Sequence, residues 1–233
     1  LDIVEGLPQG KALDMTQMLS VSGSSSKIIG TNTYDDTKDS DIVIITSGLA
    51  RKPGMSRDDL INTNTKILKE VTERVIEKSP NCIIIVVTNP LDAMTYVAYK
   101  SSNFPKERVI GMAGILDASR FKAFLSMELD IAISKIDTLV LGGHGDDMVP
   151  LKNYTSVSGV PIDQLVAPKR LEEIIQRTRD GGAEIVKLLK TGSAFYAPGV
   201  SAIEMAESIL KNQRKLLPCC TYATGEYGIE NQF

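Results

Sequence analysis

His144 is the only histidine in the chain, and it follows Thr138-Leu139-Val140-Leu141-Gly142-Gly143, where an apolar, β-branched run meets two glycines. Such a run reads as a buried strand closed by a sharp turn. That turn leaves an imidazole at a sheet edge, where α/β proteins tend to keep their sites. An imidazole titrates near neutrality and can exchange a proton with a substrate hydroxyl. A lone histidine is also a common structural residue, so its meaning depends on what stands upstream. Arg51 and Arg57 lie six apart in Gly48-Leu49-Ala50-Arg51-Lys52-Pro53-Gly54-Met55-Ser56-Arg57. Guanidinium groups grip carboxylates as a fork and stabilise negative charge. A glycine- and proline-bounded loop after a strand has the makings of a hinged lid; a solvated basic loop is the plain alternative. Asn89, in Thr88-Asn89-Pro90, can donate to a substrate oxygen or cap the helix that follows. Asp117 and Arg120 are three apart and share one helical face. They form either a simple ion pair or a working pair, in which Arg120 grips a substrate carboxylate and Asp117 hydrogen-bonds the imidazole.

The elements that must position these residues alternate. Asp41 to Thr46 reads as a buried strand, Ser56 opens a long helix with a capping box at Asp59, and Leu60, Ile67, Leu68, Val71 and Val75 keep helical spacing. Cys82 to Val87 is an apolar strand, Leu91 to Lys100 a helix, and Val109-Ile110-Gly111 a short strand. Strands apolar on both faces, alternating with helices, predict a parallel sheet covered on both sides. Lys27 to Thr31 fits a further strand, after a helix carrying Ala12, Leu13, Met15, Met18 and Leu19. Beyond Leu116 a helix carries Phe121, Phe124, Leu125 and Leu129, and Tyr154 to Val160 suggests antiparallel strands. Pro168 starts a helix to about Lys190, in which Gly181-Gly182 implies close packing against a neighbour. Another helix runs from about Gly199 to Lys211. Lys215 to Thr224 reads as a strand entering a hairpin turn, with no second strand expected before Phe233.

Composition narrows the function. The 233 residues are 42% hydrophobic and 24% charged with a net charge of −3, so a globular fold is expected and a nucleic-acid partner is not. No apolar segment is long enough to span a bilayer. The three cysteines are Cys82 and the adjacent Cys219 and Cys220, which have no metal-ligand spacing; reduced thiols in the cytoplasm and no metal are expected. The opening Leu1-Asp2-Ile3-Val4 reads as the end of a strand and has no methionine before it. An incomplete start is therefore expected, which empties the absence of a targeting segment of meaning.

Leu1 to Gly6, Gly48 to Arg57, Thr88-Asn89-Pro90-Leu91-Asp92, Leu116 to Phe121 and Gly142 to Pro150 together resemble the lactate and malate dehydrogenase family, within it the lactate-dehydrogenase-like malate dehydrogenases. The resemblance runs in order along essentially the whole chain. It implies a doubly wound Rossmann-type parallel sheet over residues 1–114, lacking its first βαβ unit, followed by an α+β substrate domain over residues 115–233. It implies NAD as cofactor and reversible oxidation of malate to oxaloacetate, a step of the tricarboxylic acid cycle, in a homo-oligomer (dimer or tetramer). His144 is similar to the family's proton donor and acceptor, Asp117 to its carboxylate partner, and Arg120 to the fork on the carboxylate beside the reacting carbon. Arg57 resembles the lid arginine that polarises the carbonyl, and Asn89 a second substrate contact. Asp2 would bind the adenosine ribose, with Val87, Thr88 and Asn89 flanking the cofactor. Arg51 resembles the arginine that meets the second carboxylate of a dicarboxylate, where lactate enzymes typically carry a neutral glutamine. The resemblance also implies a cis Asn89-Pro90 bond.

The chain departs from the family in one respect: no Gly-x-Gly-x-x-Gly turn occurs in it. In this fold the ribose-binding acid follows that turn by about 20 residues, so the turn is expected upstream of Leu1, and the family's last strand and helix are expected beyond Phe233. A polypeptide with these bounds is expected to bind NAD weakly and to fold poorly alone. Two other readings stand beside malate oxidation: a lactate-type 2-hydroxy acid dehydrogenase, and an inactive fragment serving as an interaction module.

Overall fold

A computed structural model describes residues 1–49, 56–145 and 147–233, with the backbone but not the side chain of Arg57. At its centre are three parallel strands in the order β1-β2-β3: β1 (Ile42–Ile45), β2 (Ile83–Val86) and β3 (Val109–Gly111). Side chains alternate between the two faces of a strand, and here both faces are covered. Val43, Ile45, Ile84, Val86 and Val109 point into one cluster with Leu68 and Val75 of helix α2 (Arg57–Lys78) and Met94 and Ala98 of helix α3 (Leu91–Ser102). Ile42, Ile85, Val87 and Ile110 enter the opposite cluster, with Leu116 of helix α4 (Gly114–Leu129) and Ala202 and Met205 of helix α6 (Tyr196–Leu210). Each fully buried aliphatic side chain contributes about 1.5–3 kcal/mol, so the two-sided burial makes this sheet the rigid base of the molecule.

The expected cap of α2 is present. Ser56 Oγ accepts from the Asp59 N–H at 3.0 Å, and Asp59 Oδ2 accepts from the Ser56 N–H at 3.2 Å. Helix α1 (Leu7–Ser22) precedes the sheet. Two expected strands do not form. Leu1–Val4 is irregular, and residues 27–31 run without a ladder partner, Ile29 being 58% exposed. Their one mutual contact is the Asp2 N–H donating to the Thr31 carbonyl at 3.2 Å. Strand propensity needs a neighbour to pair with, and one bond does not make a ladder.

The second half packs around Phe121 and Leu125 of α4 and Leu171, Ile174 and Ile175 of helix α5 (Pro168–Leu189), against small antiparallel sheets. Strands β4 (Ile136–Asp137), β7 (Ser156–Val157) and β8 (Val160–Pro161) form one; β5 (Val140–Gly142) and β6 (Met148–Pro150) form a hairpin. The run before His144 is thus not a strand buried on both faces: Val140 is 1% exposed and Leu141 40%, as one covered face requires. At the far end, Lys215 to Thr224 contains only β9 (Ala223–Thr224), and the hairpin does have its second strand, β10 (Glu230–Gln232). Pro218 cannot donate to a ladder, and between it and β9 the pairing is a single antiparallel bridge in which Gly111 and Cys220 exchange bonds of 2.8 and 2.9 Å. No described helix is long and apolar enough to cross a membrane.

Candidate active site

Asp117 is the hub of the site. It lies in the first turn of α4, where negative charge is favoured, and its side chain is 2% exposed. One oxygen, Oδ2, lies 2.8 Å from His144 Nδ1; the other, Oδ1, accepts from Arg120 Nη1 at 2.9 Å. The three-residue spacing puts Asp117 and Arg120 on one face of α4, and the turn after β5 brings the imidazole to them. The pair is thus an ion pair, and its carboxylate also meets the imidazole. A carboxylate at Nδ1 selects the tautomer with its proton there, leaving Nε2 as the acceptor; Nε2 has no protein partner among the described residues.

Arg120 is held from its other side by α5. A Cβ on Gly181 would lie 3.1 Å from Arg120 Cδ, and one on Gly182 would lie 3.5 Å from Nη2. The neighbour anticipated for the glycine pair is this arginine. At Gly181 a larger side chain would press on the arginine and shift it by a few tenths of an ångström, whereas at Gly182 the contact would be an ordinary one.

The ends of β1 and β2 supply the next wall. Asn89-Pro90 is cis, as the resemblance implied. Thr88 is buried, its Oγ1 donating to the Ser47 carbonyl at 2.7 Å, and Val87 donates its N–H to the Ile45 carbonyl at 2.8 Å. Gly48 has φ +154°, and a Cβ there would lie 2.7 Å from Thr88 Cγ2, so only glycine admits this approach of the two strand ends. Asn64, 1% exposed in α2, was not anticipated. It donates to the Asn89 carbonyl at 2.8 Å and the Leu49 carbonyl at 3.1 Å, and accepts from the Leu49 N–H at 2.8 Å. The Leu60-Asn64-Leu68 spacing already set a polar amide on the apolar stripe of the helix, which was the available signal.

Other expected residues stand apart from this cluster or outside the description. Arg51 and the candidate lid residues 50–55 lie outside the described residues, as does the Arg57 side chain. Asp2 accepts from the Val4 N–H at 2.9 Å and has no hydrogen bond to the His144 cluster among the described residues. A surface cavity beside Phe124, Glu128, Arg170 and Arg177 shares no residue with the cluster, and Arg170 there is already paired with Glu128 and Glu173. No group of three or more potential metal ligands occurs among the described residues.

An imidazole, a carboxylate and a guanidinium thus form one cluster tied to the segment after β2, in a chain whose two halves each match a dehydrogenase domain. Residues 1–111 match the lactate/malate dehydrogenase NAD binding domain, and residues 115–233 match the lactate/malate dehydrogenase alpha/beta C-terminal domain. The chain belongs to the lactate/malate dehydrogenase family. It is 57% identical to a malate dehydrogenase of Heliobacterium modesticaldum over 230 residues, 99% of this chain and 74% of that protein. The malate dehydrogenase of Salinibacter ruber has a similar structure, with a TM-score of 0.95 at 52% identity, covering 100% of this chain and 73% of that one. A Plasmodium falciparum malate dehydrogenase solved in complex with NADH superposes with a TM-score of 0.91 at 42% identity, covering 100% of this chain and 75% of that one.

The residues at the ends of β1 and β2 fit a bound NAD. Dinucleotides bind outside the carboxyl ends of parallel strands, and Ser47, Thr88 and Asn89 stand there. Ser47 Oγ is shielded from solvent without a hydrogen-bond partner among the described residues, as is Thr72 Oγ1 of α2. The glycine-rich turn that cradles a pyrophosphate is not among these 233 residues.

Proposed function

We propose that the chain catalyses the reversible oxidation of (S)-malate to oxaloacetate, with His144 as acid and base. The observation that carries the reading is the single buried carboxylate of Asp117, which holds a proton acceptor and a carboxylate fork side by side. When bound, NAD supplies the hydride acceptor. In the oxidation, Nε2 of His144 takes the hydroxyl proton while the carbon bearing that hydroxyl loses hydride, and the positive charge gained by the ring faces Asp117. In the reverse direction the same nitrogen returns the proton to the new hydroxyl. Arg120 binds the carboxylate next to the reacting carbon, Asn89 contributes a further substrate contact, and Arg57 polarises the carbonyl. Asp2 serves the ribose, and Val87, Thr88 and Asn89 flank the cofactor, within a dinucleotide-binding part at 1–114 and a substrate part at 115–233.

Arg51 carries the choice of substrate. Oxaloacetate has a second carboxylate, and burying it without a cation costs several kcal/mol. Arg51→Gln is expected to lower kcat/KM for oxaloacetate by about 100-fold or more, and to raise the relative use of pyruvate. Substrate preference indifferent to that change counts against malate, and a wild-type protein that does not oxidise NADH with oxaloacetate overturns the whole reading. The same reading makes the protein a cytoplasmic homo-oligomer, dimer or tetramer. Free Cys82, Cys219 and Cys220 fit a reducing compartment. Apolar side chains on α1, Val21 at 90% and Met18 at 56% exposure, fit burial against another surface.

A further inference from the structure

Asp92 has no part in the chemistry above, yet it is tied to the residue that has the largest. It stands in the first turn of α3, three residues after Asn89, and its Oδ2 accepts the backbone N–H of His144 at 3.1 Å. A Cβ on Gly143 would lie 3.5 Å from the same oxygen, so the turn passes directly over the carboxylate. The turn is held at its ends by the β5–β6 pairing and by the Met148 N–H donating to the Gly145 carbonyl at 3.2 Å, but neither reaches the His144 peptide itself. Gly142 and Gly145 have φ of +81° and +119°; a Cβ on Gly142 would lie 2.5 Å from the Asp147 carbonyl oxygen, whereas one on Gly145 would meet nothing within 4 Å. Three glycines around one histidine give the backbone many alternatives of similar energy. Asp117 restrains the ring but not the peptide that bears it.

We propose that Asp92 is a positioning residue that pins the His144 peptide, so that the imidazole approaches the substrate from a fixed place. This rests on reading His144 as the acid and base. His144 is then held by two carboxylates, one at the ring Nδ1 and one at the backbone N–H, carried by helices on opposite sides of the boundary between the two matched family domains. Asp92 is itself well placed to serve as an anchor. The helix N-terminus favours its charge, and the Cys220 thiol lies beside it, that thiol being pushed up in pKa by burial first and by the Asp92 charge second. Cys220 is in turn bridged to Gly111 of the parallel sheet.

The test compares Asp92→Ala with Asp92→Asn in the full-length protein, reading kcat and KM with oxaloacetate and NADH, NADH affinity by fluorescence, and amide hydrogen exchange at His144. Displacement of a catalytic group by about 1 Å costs on the order of 100-fold. Asp92→Ala is expected to lower kcat by about 10- to 100-fold, to leave NADH affinity within about twofold, and to speed exchange of the His144 amide. Asn retains a carbonyl acceptor, so Asp92→Asn should recover most of the lost kcat and of the amide protection. Wild-type kcat in Asp92→Ala overturns the proposal, and so does an Asp92→Asn enzyme that folds but loses as much kcat as the alanine variant. Failure of the parent reading looks different: the wild-type protein would then show no NADH oxidation at all.

Discussion

Asp117→Asn puts the chemistry to its sharpest trial, because each oxygen of this buried carboxylate has its own partner. Oδ2 meets His144 Nδ1 at 2.8 Å and Oδ1 meets Arg120 Nη1 at 2.9 Å. An amide of the same shape has only one oxygen. If that oxygen stays with Arg120, the NH2 group faces Nδ1 and forces the neutral ring to carry its proton on Nε2, the nitrogen that must accept one from malate. If the amide turns over, two donors face each other at Arg120 and the substrate fork loosens. In both orientations the imidazolium loses the negative charge beside it. A hydrogen bond to a charged group is worth about 1.5–3 kcal/mol, and leaving a buried partner unsatisfied adds to the loss. A transition-state penalty of about 2–4 kcal/mol follows, which is a fall of about 30- to 1,000-fold in kcat/KM.

The assay is steady-state NADH oxidation by oxaloacetate and NAD reduction by malate, with melting temperature and NADH affinity measured on the same samples. With cofactor affinity unchanged, the fixed overall equilibrium requires kcat/KM to fall in both directions by a similar factor. An Asp117→Asn protein that melts like wild type and keeps kcat/KM within about threefold of it refutes the reasoning, since no role for the carboxylate beyond packing would remain.

Gly181→Ala separates packing from propensity. Alanine stabilises a helix by up to about 1 kcal/mol relative to glycine, but its Cβ would press on Arg120 Cδ at 3.1 Å. Melting temperature should hold or rise while KM for oxaloacetate increases by about 5- to 30-fold, the equivalent of 1–2 kcal/mol of displacement; an unchanged KM counts against the close fit. At the far end, the Lys106 ammonium 2.6 Å away and the Thr224 N–H hold Glu226 down to about 2 from an ordinary value of 4.5. The folded value is the lower one, so the contribution of this contact is complete above about pH 4.5 and fades as pH falls toward about 2. The protection factor of the Thr224 amide, its exchange rate relative to an unstructured amide at the same pH, should fall as pH is lowered through that window in the wild type and stay level in Glu226→Gln.

Periodicity made the sheet legible because both of its faces are buried. Ile83, Ile84, Ile85 and Val86 have no polar side to confuse the pattern, and Ser56 with Asp59 marked the start of α2 to the residue. It failed where strand-like composition had no partner, at residues 27–31, and where Pro218 broke a ladder that Lys215 to Thr224 otherwise suggested. It also passed over β10, since Glu230, Asn231 and Gln232 are polar and fully surface-borne, and their pairing with β9 owes nothing to an apolar face.

The site grows harder to read as its contacts lengthen. The Asp117–Arg120 pair follows from helical spacing alone, whereas the contact of Asp117 with His144 spans 27 residues and stood as one of two alternatives until the family resemblance favoured it. The Asp92–His144 contact spans 52 residues and joins a side chain to a peptide N–H, which leaves no mark in residue type except the presence of the acid. Yet its need was written in the turn: three glycines let the chain bend sharply enough to deliver the imidazole, and the same freedom would let the imidazole wander. A backbone made permissive at 142, 143 and 145 is useful for catalysis only if something outside the turn removes that freedom again. Asp117 restrains the ring and Asp92 the peptide, so the glycines and the two acids are parts of one solution.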